Sequence, residues 1–268
     1  LMSLQIADRV MELVLGGYAI AIATAILPMM SQQVAERNMT EFRHTLSFSL
    51  RLVSFITIPA MVGLAVLRQP IIQVLFEHGR FDQASTRITA WALLFFSLGL
   101  PWFAATKIIV PAFYSTYDTR TPVKVAGVVM VANVVFNLLL LDPLRNAGPA
   151  AATSLAGLLN FGLLYAVFTR RHGDLESRHL LASLARVSVA SAVMGVACWM
   201  MLRVSGFQGG SGLSHSLGWQ VATLAAMLVA ATALFFALAW LLRCEELGDL
   251  YGIARRRTGA VESLPGNS

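Results

Sequence analysis

The chain has 268 residues, of which 57% are hydrophobic and only 13% charged, and its mean hydropathy is +0.68. Soluble domains carry roughly 25% charged residues, so an ordinary soluble fold is excluded and a polytopic membrane protein is expected. The net charge of +6 raises nucleic acid as a partner, but the basic residues stand between apolar runs instead of along one face, so no nucleic acid is expected.

Seven apolar runs are long enough to cross a hydrocarbon core, which takes about 20 residues of helix. Their uncharged cores are residues 13–30, 52–67, 88–106, 125–141, 146–169, 187–202 and 216–242. Together they predict an all-α, polytopic membrane helix bundle with seven transmembrane helices. Directly ahead of the first run, residues 7–12 read Ala-Asp-Arg-Val-Met-Glu. On a helix the spacings i,i+3 and i,i+4 bring Arg9 and Asp8 beside Glu12. A charge deep in a bilayer costs about 2.5–3.5 kcal/mol on insertion scales, so it usually faces a protein interior or a watery cavity. Two readings follow: an arginine at a cavity wall that receives an anionic group, or an interfacial cluster snorkelling to water.

Pro59 in the second run and Gly99, Pro101 and Pro111 in or after the third predict kinks within helices, because neighbouring helices can satisfy the freed backbone groups. Between these runs, residues 69–82 read QPIIQVLFEHGRFD. Pro70 and Gly79 bracket an apolar stretch too short to span, which predicts a separate interfacial helix on the outer surface. His78 is expected to be a wet surface residue. Lys107 lies inside a hydrophobic stretch one turn before Pro111, and either snorkels to the interface or reaches a cavity. Residues 114–124, YSTYDTRTPVK, predict a turn and a helix start, with Asp118 closing the turn on backbone amides, Thr121 as cap and Pro122 in the first helical turn.

Asn133 and Asn137 share a face of the fourth span, and Asn160 lies in the fifth; such amides more often tie helices together than bind substrate. The fifth span is crowded with Ala, Gly and Ser, which permits close helix approach. A polar linker follows, and the last two spans, joined by the Gly/Ser-rich loop 206–216, read as appended to the first five. The expected division is residues 1–172 (five helices), 173–243 (linker and two further helices) and 244–268 (a polar cytoplasmic tail). Most of the 20 lysines and arginines fall after the first, third and fifth spans and in the tail, among them Arg37, Arg43, Arg51, Arg171 and Arg255 to Arg257. Only Arg68, Arg80, Arg87, Arg145 and Arg203 fall in the alternate connections. The positive-inside rule therefore places the C-terminus in the cytoplasm.

The chain has no Gly-rich phosphate loop, His-Glu-x-x-His, Cys-x-x-Cys or Gly-x-Ser-x-Gly. Cys198 and Cys244 have no ligand spacing and read as packing residues. No enzyme, no metal and no cofactor are expected, apart from a coupling cation of unknown identity. The start on Leu suggests a fragment or a trimmed chain.

ADRVMEL followed by GGYAIAIATAILPMMSQ, then LRLVSFITIPAMVGL, QPIIQVLFEHGRFD and KIIVPAFYSTYDTRTPVK, and the LLN of the fifth span, resemble the MurJ/MviN-type lipid II flippases. These belong to the multidrug/oligosaccharidyl-lipid/polysaccharide exporter superfamily. The resemblance runs through about residue 172 and is looser beyond. It implies a two-lobe, fourteen-helix transporter of which this chain would supply the eighth to fourteenth spans, with the N-terminal lobe of the same protein as a missing partner. The family's Asp-Arg-x-x-Glu motif maps onto Asp8, Arg9 and Glu12, which favours the cavity reading, with Arg9 holding the pyrophosphate of lipid II and Glu12 holding Arg9 or switching. Lys107 is a further candidate substrate contact. Asp118, Arg120, Thr121 and Pro122 match a signature loop whose implied role is structural or gating. The implied activity is outward flipping of a lipid-linked peptidoglycan precursor across the bacterial inner membrane by alternating access, its polyprenyl tail remaining among membrane lipids beside the last two spans, which in the family form a groove for that tail. Alternatives are a drug or polysaccharide-lipid exporter of the same superfamily, a non-transporting lipid-binding scaffold, and a membrane glycosyltransferase with essential loop carboxylates.

Overall fold

The computed structural model describes residues 2–76, 83–144, 147–204, 217–244 and 246, and within these the side chains of 2–4, 10, 13–21, 83, 84 and 217 are outside the description. His78, Arg80, Arg145, the loop 206–216 and Arg255 to Arg257 of the tail lie outside the described residues. The described chain is all helix: α1 (Met2–Ala35), α2 (Met39–Phe76), α3 (Gln83–Ser115), α4 (Arg120–Leu144), α5 (Gly148–His172), α6 (Ser177–Val204) and α7 (Leu217–Leu241). Helices α2 to α7 are each long and apolar enough to cross a membrane by length and composition. The protein is a multi-pass membrane bundle.

Polar contacts fix the helices' directions by gathering alternate ends at one face of the bundle. Ser31 near the end of α1 meets Ser115 at the end of α3 (3.4 Å), and Gln33 donates to Thr45 Oγ1 of α2 at 2.9 Å. Arg43 of α2 donates to the carbonyl of His172, which ends α5, at 3.3 Å. This basic end therefore holds the connections α1–α2, α3–α4 and α5–α6 together with the exit of α7. The helices run alternately up and down.

The turns at this end share one local device. The chain leaves α1, α3 and α7 through a left-handed residue that is not glycine: Arg37, Tyr117 and Arg243, with φ of 56°, 59° and 50°. In each case the following N–H, of Asn38, Asp118 or Cys244, bonds back to the carbonyl of Gln33, Phe113 or Ala239 at 2.9–3.0 Å. That 6→1 bond is the Schellman motif, which satisfies carbonyls the helix end would otherwise leave open. Asn38, Asp118 and Asp174 then accept the N–H of Glu41, Thr121 and Ser177 at 3.0–3.1 Å and so cap α2, α4 and α6. Asp118, not Thr121, is thus the cap of α4, because the helix already begins at Arg120.

Helix α3 is central, packed on α1, α2 and α5. Its contact with α5 depends on missing side chains: the Phe103 ring lies where a Cβ on Gly157 would come within 2.4 Å, or one on Gly99 within 2.5 Å. Ser154 of α5 donates to the Phe95 carbonyl at 2.6 Å across the same contact. The small residues of the fifth span let backbones approach, as their composition predicts. Helix α4 packs mainly on α5 and leaves Val128, Val131, Val134 and Leu138 exposed. Its Asn137 amide donates to Asn133 at 2.5 Å, so these two side chains bond along one helix. Helix α6 lies along α2, and α7 contacts both. Phe55 of α2, Met194 and Cys198 of α6 and Phe235 of α7 form a second apolar cluster there.

One expected element is not separate. Residues 70–76 continue α2 through Pro70, and no independent interfacial helix forms. Pro70, Ile71, Ile72 and Val74 are all buried, so the segment is held by packing despite the backbone bond that proline removes.

Candidate functional site

Helix α1 carries two faces near its start. Ala7 and Met11 are buried, whereas Gln5, Arg9 and Glu12 are exposed at the i,i+4,i+7 spacing of the opposite face. Arg9 Nη1 lies 3.9 Å from Glu12 Oε2, with the two side chains 83% and 60% exposed. Asp8 is half-buried beside them. The motif therefore forms a charged face turned away from the described bundle.

Lys107 is half-buried on α3, and no described side chain forms an ion pair with it. Its level along the bundle follows from the Ser31–Ser115 contact. At 1.5 Å per residue, Arg9 lies about 33 Å and Lys107 about 12 Å from that contact along their helices. Arg9 and Lys107 are thus at different depths, and the structure does not bring them to one headgroup-sized point.

The signature loop is brought together, with one further residue. Asp118 accepts from Thr121 N at 3.0 Å and from the Thr121 hydroxyl at 2.6 Å. Arg171, in the last turn of α5, donates to Asp118 Oδ2 at 2.6 Å and to Thr121 Oγ1 at 3.1 Å. Thr121 and Pro122 are buried, while Arg120 points outward. The sequence marks Arg171 only as one of a basic cluster at a helix C-terminus, where cations suit the dipole. Nothing in it distinguishes Arg171 from Arg170.

The Thr121 hydroxyl, helped by the Thr121 N–H and the Arg171 guanidinium, holds the Asp118 carboxyl below its ordinary range. A carboxylate whose folded pKa is lowered contributes its full stability above the unfolded value, about 3.9, and loses it as pH falls through the folded value. Asparagine caps helices about as well as aspartate, so Asp118→Asn removes the ion pair and keeps the cap. With Arg171 half exposed, the loss at neutral pH should be about 0.2–1 kcal/mol, whereas Asp118→Ala should lose roughly a further 1 kcal/mol through the cap. Thermal unfolding in detergent checks both. Asp118→Asn should also flatten the acid side of the stability profile, and an unchanged profile would remove Asp118 as its source.

A groove of about 470 Å³ opens between α2, α6 and α7, where the family resemblance implies a tail-holding groove at the last two spans; its walls on α2 were not anticipated. Its walls include Phe55, Pro59, Gly63, Met194, Thr232 and Phe236, with Thr232 the one polar side chain in its lining. Such a surface suits a flexible hydrocarbon chain and offers little to a hydrated solute.

Fold and site define a polytopic helical membrane protein with a charged helix face, an apolar lateral groove and ionic ties at one end. A family model described as lipid II flippase MurJ matches residues 1–218. The probable lipid II flippase MurJ of Vibrio cholerae is 37% identical over 196 residues, covering 73% of this chain and 37% of the relative. Those of Rhizobium meliloti and Rhizobium tropici are 34% and 31% identical, covering 89% and 97% of this chain and 44% and 49% of theirs. The chain therefore spans less than half the length of these three relatives. A solved structure titled lipid II flippase MurJ, inward closed conformation, shares the fold with a TM-score of 0.70 at 24% identity, over 90% of this chain and 47% of that one. The chain belongs to the lipid II flippase MurJ family.

Proposed function

We propose that the protein containing this chain moves lipid II, a polyprenyl-pyrophosphate-linked peptidoglycan precursor, outward across the bacterial inner membrane by alternating access. The observation that carries this reading is the apolar groove of α2, α6 and α7 in a chain of this family. In it the polyprenyl tail lies against Phe55, Pro59 and Phe236 while the headgroup passes the charged face of α1. Arg9 faces the remainder of the transporter and holds the diphosphate through a bidentate, charge-assisted contact; Glu12, 3.9 Å away, orients it. Residues 1–172 serve as the helices of one lobe and 173–243 as the tail-binding addition. The crowding of Arg37, Arg43, Arg171 and Arg243 at one end supports a cytoplasmic C-terminus. The membrane potential or a coupled cation drives the cycle, with one charge moved through 100 mV being worth about 2.3 kcal/mol.

The test is rescue. The gene encoding this chain should restore growth to cells depleted of their own lipid II flippase, and the purified protein should move fluorescent lipid II between leaflets of vesicles. Protein that accumulates in the membrane yet gives neither result would refute the reading.

A further inference from the structure

Beyond α7 the chain turns back into the bundle. Arg243 ends the helix in the left-handed conformation, Cys244 N–H bonds to the Ala239 carbonyl at 3.0 Å, and both Cys244 and Glu246 are buried. Three elements meet at the Glu246 carboxylate. Ser183 of α6 donates to Oε1 at 2.5 Å, and Arg51 of α2 places Nη1 4.0 Å from the same oxygen. The Arg51 and Glu246 side chains are 9% and 2% exposed, whereas Arg9–Glu12 and Arg171–Asp118 both face solvent on at least one side.

Position gives this cluster its meaning. Arg51 precedes Phe55 by one helical turn on the same face of α2. Phe55 is a wall of the groove, with its ring 5.2 Å from that of Phe235. The ionic contact therefore lies one turn past the end of the groove, on the basic side. A buried ion pair adds little net stability compared with apolar packing, but removing Arg51 leaves the Glu246 carboxylate buried without its cation and removing Glu246 takes a buried counter-charge from Arg51, so the pair favours one arrangement of its elements.

We propose that Glu246 is a clasp, a positioning residue that pins α6 and α7 to α2 and fixes the basic end of the groove. The clasp is independent of what the groove holds. Its strength comes from geometry: among the described residues that follow α7, Glu246 is the one whose side chain makes polar contacts with both α2 and α6. Breaking it loosens that segment first, because Cys244 is then held by its own turn and by packing in the apolar cluster of α2, α6 and α7 alone.

Cys244 supplies a native reporter, with Cys198, buried in α6, as an internal reference. The protein is reconstituted in lipid nanodiscs and treated with N-ethylmaleimide, and alkylation of each cysteine is followed by peptide mass spectrometry. Burial and the nearby Glu246 charge both push the Cys244 thiol up, so Glu246→Gln alone would speed alkylation even without opening. Arg51→Gln removes a positive charge, which cannot ease ionisation of the thiol, so it separates the two causes. Both variants should raise the Cys244 rate about tenfold while Cys198 stays within about twofold, as expected for local opening. The charge-swapped double variant Arg51→Glu/Glu246→Arg should recover most of the protection. Acceleration by Glu246→Gln but not by Arg51→Gln would overturn the proposal, leaving only an electrostatic effect on the thiol. A joint rise of Cys198 and Cys244, or a double variant as reactive as the single ones, would overturn it as well.

Discussion

Arg9→Ala, introduced into the gene that encodes this chain, is expected to abolish rescue of flippase-depleted cells while leaving protein abundance unchanged. The abundance follows from the exposure of the pair. Arg9 and Glu12 are 83% and 60% exposed and 3.9 Å apart, and ion pairs of that kind contribute roughly 0–1 kcal/mol to stability. The functional loss follows from what a guanidinium does for a diphosphate. A hydrogen bond to a charged group is worth about 1.5–3 kcal/mol, so one lost contact weakens headgroup binding by roughly one to two orders of magnitude. Arg9→Lys keeps the charge without the planar fork and should fall between wild type and alanine. Lys124→Ala, at an exposed position of α4, serves as the control and should grow normally. Full rescue by Arg9→Ala would sink the headgroup role.

Gly63→Phe should separate tail binding from stability. Gly63 lines the groove, and no heavy atom lies within 4 Å of the position its Cβ would take. A large side chain there enters open space. Glycine inside a helix costs roughly 0.5–1 kcal/mol relative to alanine, so the substitution should not lower the unfolding temperature. It should, however, fill the groove and prevent photo-crosslinking of α2 and α7 by an isoprenyl phosphate probe, with loss of rescue. Gly195, at the contact of α6 with α2, cannot serve the same purpose, because its Cβ would meet Val62 Cγ1 at 2.6 Å. A Gly63→Phe protein that binds the probe and rescues growth would remove the groove from the mechanism.

The sequence makes the spans legible because about 20 apolar residues in a row have few other uses. It also makes the Asp118 turn legible, since an aspartate three residues before a helical N–H is a local device. It misleads at Pro70, where a proline and a short apolar run imply a break, but burial of Ile71 and Ile72 carries α2 straight through. Arg171 and Glu246 could not be read at all. Their partners lie 53 and 195 residues away in sequence, at Asp118 and Arg51, and neither periodicity nor composition encodes such a pairing. The groove is legible only through the family resemblance: by composition its walls are ordinary apolar residues until α2, α6 and α7 are placed side by side.

The connections at the basic end have a mechanical corollary. Each is three or four residues long, and their N–H groups and caps are bonded at Asn38, Asp118 and Asp174, so they contain almost no slack. A change of shape cannot be absorbed by those joints. On this side of the bundle, bending is left to the rods themselves, where Pro59, Pro101 and Pro111 each omit a rung of the hydrogen-bond ladder.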